Sequence, residues 1–156
     1  TLMREYAEYL NASVGGQHIC VESLDRELAE LPGAYAEPRG AVLLAFAQDE
    51  PAGCVALKPV AIASGAPEER ACEMKRLWVR AGHQGTGLGR QLAKAVVEAA
   101  CERGYTAMYL DTMPASMQAA YRLYRSMGFE PVERYNENPV LRQPDALEIA
   151  WLRREL

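Results

Sequence analysis

The stretch EMKRLWVRAGHQGTGLGRQL, residues 73–92, carries the change of structural period on which the fold turns. From Cys72 to Val79, apolar Cys72, Met74, Leu77 and Val79 are interleaved with polar Glu73, Lys75 and Arg76, as in a strand whose two faces meet different surroundings. The alternation fails around Arg76-Leu77, so a bulge or a break is expected there. Then Gly85, Gly87 and Gly89 lead into an amphipathic helix: Leu88, Leu92, Val96, Ala99 and Ala100 share one face, and Arg90, Lys94, Glu98 and Arg103 share the other. Gly104 ends it as a C-cap.

A junction of strand, glycine loop and helix is a seat for an anion. The first backbone N–H groups of the helix have no partner, and the helix end carries roughly half a positive charge. Glycines let the backbone approach the ligand closely, and each N–H bond to a charged oxygen contributes about 1.5–3 kcal/mol. Spacing discriminates among such loops. Gly82 and Gly87 have the interval of a nucleoside-triphosphate loop, but Leu88-Gly89 stand where its lysine and hydroxyl belong. A dinucleotide loop needs G-x-G-x-x-G, and the best alignments put Arg90 or Gln91 at the third glycine. What remains is Q-x-x-G-x-G, spelled Gln84-Gly85-Thr86-Gly87-Leu88-Gly89, suited to a pyrophosphate. The competing reading is a glycine-rich turn with no ligand.

Outward from this junction, Ala41–Ala47 and Gly53–Ile62 read as antiparallel strands joined by the turn Gln48-Asp49-Glu50-Pro51. Upstream, Leu2, Met3, Tyr6, Tyr9 and Leu10 recur at helical spacing, and a second helix starts near Ser23 and stops at Pro32-Gly33. Downstream, Ala107–Leu110 is a strand ending at Asp111-Thr112. Pro114 opens a helix that Gly128 closes, and Phe129–Tyr135 and Leu147–Leu152 are strands. The order predicts one α/β (α+β) domain over residues 1–156, a largely antiparallel sheet with one parallel crossover, flanked by helices.

Composition excludes several classes. Seventeen basic against twenty-one acidic residues give a net charge of -4, which suits neither a nucleic-acid nor a membrane surface. No apolar run approaches the roughly 20 residues of a membrane span, and no signal peptide is evident, so a cytoplasmic protein is expected. Cys20, Cys54, Cys72 and Cys101 form no C-x-x-C pair, which speaks for reduced thiols and no metal. His83 is read as an exposed loop residue, and Trp78 and Trp151 as core. The final strand, ending at Trp151, offers an edge for a homodimer.

Residues 73–92, then YLDT at 109–112, then AAYRLYRSMGFEPV at 119–132, resemble the GNAT superfamily of acetyl-coenzyme A dependent N-acetyltransferases, with the resemblance spanning Ala41 to Leu152. Three motifs in order are specific for the superfamily and silent on the acceptor. The first strand typical of that fold is not evident before Leu2, which fits either a trimmed N-terminus or a departure from the family. The resemblance implies a sheet splayed into a V at the cofactor. It implies acetyl-CoA with its pyrophosphate on Gln84, Gly85, Thr86, Gly87, Leu88, Gly89 and Arg90, and its pantetheine arm along Leu77, Trp78 and Val79. Tyr124 is implied as a coenzyme contact and the acid that protonates the departing thiolate, and Glu73 as the base that takes the amine's proton. Asp111 stands where many members carry an asparagine, which leaves that contact open. Tyr135, Asn136 and Asn138, with Tyr6 and Tyr9, are expected to line the pocket of a small-molecule or peptide amine. The competing functions are a silent acetyl-CoA sensor and an acyltransferase for longer acyl groups.

Overall fold

The computed structural model describes residues 2–13, 26–62, 69–136 and 148–156. Ser23, Cys20, Asn138 and Leu147 lie outside the described residues. Helix α1 (Leu2–Ser13) is followed by strands β1 (Ala41–Ala47), β2 (Glu50–Pro59) and β3 (Ala71–Val79), helix α2 (Leu88–Glu102), strand β4 (Ala107–Thr112), helix α3 (Gln118–Ser126), and strands β5 (Glu130–Val132) and β6 (Ala150–Glu155). A further helical segment covers 26–29. The strands form one six-stranded sheet in the order β1-β2-β3-β4-β6-β5. Only the β3–β4 pair is parallel, and α2 is its crossover, which confirms the expected mixed sheet.

Strand alternation sorts the sheet into two faces. Leu57, Cys72, Met74, Met108, Leu110 and Leu152 point to the side covered by α2 and α3, where they pack with Leu92, Val96, Tyr124 and Phe129. Phe129 is wholly buried, and a side chain of that size removed from water stabilises by about 1.5–3 kcal/mol. On the opposite face, α1 and the 3-10 turn Gly33–Tyr35 bury Leu2, Met3 and Tyr35 against Cys54 and Ala56.

The expected irregularity in β3 is a bulge. Cys54 pairs with Trp78 and Ala56 with Lys75, so two steps along β2 face three along β3. Arg76 takes up the extra residue at φ +59°, a left-handed conformation that costs a non-glycine residue. Two interactions hold it there: a bidentate pair with Glu27 (2.8 and 2.9 Å) and the Cys54 thiol donating to its carbonyl. The bulge resets the alternation, so Leu77 and Val79 return to the face of Met74.

Several expected boundaries shift. The hairpin turn is tighter than expected because Gln48 and Asp49 take φ of 51° and 64°, and β2 therefore starts at Glu50; it ends at Pro59, short of the expected Ile62. Residues 114–117 form a turn closed by Met117 N–H to Met113 O, and α3 begins only at Gln118. The strand expected over Phe129–Tyr135 stops at Val132, and the last strand runs on to Glu155. Trp151 is therefore mid-strand, and β6 lies between β4 and β5. The exposed edge that the dimer expectation relied on is not there.

Candidate functional site

Parallel pairing of β3 with β4 ends at Glu73 opposite Tyr109. Beyond the bulge, Trp78 and Val79 pair with β2 alone, leaving the side of β3 toward β4 open. A cleft of about 630 Å³ lies along this opening. Leu77, Trp78 and Val79 form one wall; Gln84, Gly85, Gly87, Gly89 and Arg90 form its end; and residues 115–120 with Leu123 close the far side.

The end of the cleft is the start of α2. The first helical bond runs from Gln91 N–H to Gly87 O (3.1 Å), so the N–H groups of Leu88, Gly89 and Arg90 precede the helical ladder. Gly85 and Gly87 have φ of +77° and +89°, and a Cβ on either would project into open space. Their glycine identity answers to backbone conformation and ligand approach, not to crowding. Gln84 Nε2 donates to Val79 O (2.9 Å), folding the loop back onto β3, and Arg90 Nη2 donates to Ser126 Oγ (2.7 Å).

Three residues expected at the coenzyme do not line the cleft. Thr86 Oγ1 closes the turn by donating to His83 O (2.7 Å), and Leu88 packs on the core. Tyr124 lies on the core-facing side of α3, buried and edge-on to Phe129 at 6.0 Å. Burial, then the neighbouring Tyr6 and Asp111, push its hydroxyl above the ordinary tyrosine range, so it stays protonated at neutral pH. His83 is half-buried in the turn Ala81–His83 instead of exposed.

Glu73 lies on the opposite face of the sheet from α2 and is 2 % exposed. Its Oε1 accepts from Tyr135 Oη (2.8 Å), Asn136 Nδ2 (3.0 Å) and Lys75 Nζ (3.4 Å), and its Oε2 pairs with Lys58 Nζ (3.2 Å). Lys75 also crosses the opening to Asp111 (3.3 Å). Burial alone would lower the Lys75 value, but the Asp111 and Glu73 carboxylates outweigh it and hold the ammonium above its ordinary range. Asn136 Nδ2 donates to Asp111 Oδ2 (3.0 Å) as well, and its Oδ1 accepts from Trp151 Nε1 (2.9 Å). Expected site residues Glu73, Asp111, Tyr135 and Asn136 thus meet in one network. Lys58 and Lys75, unassigned from sequence, belong to it, as does Trp151, which was expected in the core and instead donates to Asn136. Lys75 was accessible to that reasoning, because alternation puts it on the face of Glu73; Lys58 depends on the β2–β3 register. Tyr9, expected near the acceptor, instead lines the cleft beside Leu77–Val79 and packs on Trp78 at 4.9 Å.

An open mixed sheet, parted beside a bulge, with a cleft that runs from a half-paired strand to the N-terminus of a helix, defines the α/β architecture of this protein. The sequence profile described as "Acetyltransferase (GNAT) family" matches residues 3–129, and the chain belongs to that family. A Schizosaccharomyces pombe protein described as an uncharacterized N-acetyltransferase is 36% identical over 140 residues, covering 89% of this chain and 78% of the relative. The fold matches an acetyltransferase of the GNAT family from Staphylococcus aureus Mu50 with a TM-score of 0.74 at 17% identity, covering 99% of this chain and 91% of that one. A GNAT family acetyltransferase from Elizabethkingia anophelis, solved with acetyl-CoA bound, matches with a TM-score of 0.65 at 22% identity over 88% of each chain. No helix among the described residues is long and apolar enough to cross a membrane, and none of their His, Cys, Asp and Glu side chains group as metal ligands.

Proposed function

We propose that this chain moves the acetyl group of acetyl-CoA to a primary amine by direct attack. The observation that carries the proposal is the cleft itself, which joins the free side of Leu77–Val79 to the N-terminus of α2. An extended pantetheine arm adds to a half-paired strand as another strand would, and the pyrophosphate meets the N–H groups of Leu88, Gly89 and Arg90. Arg90 adds a guanidinium at the same end.

In the reaction the amine nitrogen bonds to the thioester carbonyl carbon and the C–S bond breaks. Holding both reactants in the parted sheet supplies effective concentration, and a backbone N–H near Leu77 polarises the carbonyl. The thiolate takes its proton from Tyr124, which burial keeps protonated and which stands on α3 beside the cleft-lining Ala120 and Leu123. The amine's proton goes to Glu73. Since Oε1 already accepts three donors, it arrives at Oε2 through water. The acceptor side of the site is the network of Tyr135, Asn136 and Asp111.

Calorimetry with acetyl-CoA, together with assay of free CoA thiol over a panel of amines, tests the reading. Binding with thiol release that depends on an amine supports it; binding without product on any amine favours a sensor. Competition among acyl chain lengths decides between acetyl and longer groups.

A further inference from the structure

We infer that the acceptor carries a carboxylate close to its amine, as an amino acid does, and that the Lys58 and Lys75 ammonium groups receive it. This rests on the N-acetyltransferase reading and narrows its substrate class. The network beside the opening holds two cations and two anions, but they lie at different depths. The Lys58 and Lys75 side chains are 32% and 18% exposed, against 3% for Glu73 and 12% for Asp111. A ligand arriving from solvent therefore meets ammonium groups first, with the carboxylates beneath them.

The hydrogen-bond inventory gives the same order. Glu73 Oε1 is filled by Tyr135, Asn136 and Lys75, and the two Asp111 oxygens carry Lys75 and Asn136. An ammonium has three donors. Among the described residues, Lys58 gives one to Glu73, and Lys75 gives one each to Glu73 and Asp111. The two ammonium groups, the more exposed members of the network, thus keep N–H donors to offer, a few residues along β3 from the backbone at Leu77. An incoming carboxylate finds partners there. A second ammonium in their place would meet like charge.

The position suits a short substrate. Lys75 stands two residues before Leu77 on β3, on the face of α1, with Tyr6 close enough to influence its charge. That nearness along one strand favours a carboxylate close to the amine over one at the far end of a long chain.

The test offers a set of amino acids to the full chain with acetyl-CoA in three forms each: free acid, primary amide and decarboxylated amine. The result expected is a kcat/KM for the free acids at least about 10-fold above both matched forms. Lys58→Gln should bring kcat/KM for the acids and for the matched decarboxylated amines to within about 2-fold of each other, while Lys58→Arg retains most of the preference. A melting temperature for each variant separates loss of fold from loss of recognition. Amides or decarboxylated amines used as well as the acids would overturn the inference while sustaining the acetyltransferase reading. Acetyl-CoA bound with no amine of any form acetylated would overturn both.

Discussion

Gly87 opens α2 at φ +89°, and a Cβ there would touch no protein atom within 4 Å. In Gly87→Ala the protein itself bears only backbone strain, about 1–2 kcal/mol for an L-residue in this region. For a chain of this size that lowers Tm by about 2–8 °C. On the proposed function the coenzyme bears a further loss, because the new methyl would stand in the path of the pyrophosphate to the helix amides. Losing one charge-assisted bond of about 1.5–3 kcal/mol weakens binding by about 10- to 100-fold. Gly128→Ala is the matched control: its φ is +84°, its Cβ is equally unobstructed, and it lies between α3 and β5 outside the cleft. The assay is calorimetry with CoA beside thermal melts of all three proteins. The expectation is a similar fall in Tm for both variants and a weakened Kd for Gly87→Ala alone. Wild-type affinity in Gly87→Ala, or an equal loss in Gly128→Ala, would refute the seat at the start of α2.

Tyr124→Phe should lower kcat by about 10²- to 10⁴-fold with CoA affinity within 2-fold of wild type, as for loss of a general acid; full turnover removes Tyr124 from that role. Glu73→Gln should lower kcat/KM by about 10²- to 10⁴-fold at neutral pH, as for loss of a general base, and an undiminished rate would exclude the base assignment. Burial opposes ionisation of Glu27, but the hydrogen bonds and charge of Arg76 outweigh it and hold the carboxyl below its ordinary 4.5. A depressed folded value gives stability that is present above the unfolded pKa and lost as pH falls through the folded one. Wild-type Tm should thus fall more steeply than that of Glu27→Gln between about pH 5 and about pH 3, and parallel curves would show that the Arg76 pair does not hold the bulge.

What could be read from the sequence follows the range of the interaction that sets it. The bulge at Arg76 was readable because alternation is local, and so was the loop at Gln84–Gly89, because glycine spacing reports backbone conformation directly. Pro114 misled because it suits a helical first turn, yet the chain spends 114–117 on a turn held by Met113 O before α3 starts. The early end of β5 has a tertiary cause: Tyr135 and Asn136 leave the strand direction to reach Glu73, 62 and 63 residues away. Lys58 enters the site only through its register opposite Glu73. No local pattern encodes that pairing.

Acetyl transfer in the cleft between β3 and β4 is the step on which the proposed function rests. Incubating the chain with acetyl-CoA carrying a labelled carbonyl carbon and a panel of amines, with thiol and product followed by mass spectrometry, tests it most directly. Equimolar free CoA and labelled N-acetyl amine, both strongly reduced in Tyr124→Phe, are the predicted result. Acetyl-CoA bound but returned intact in the presence of every amine would contradict the account.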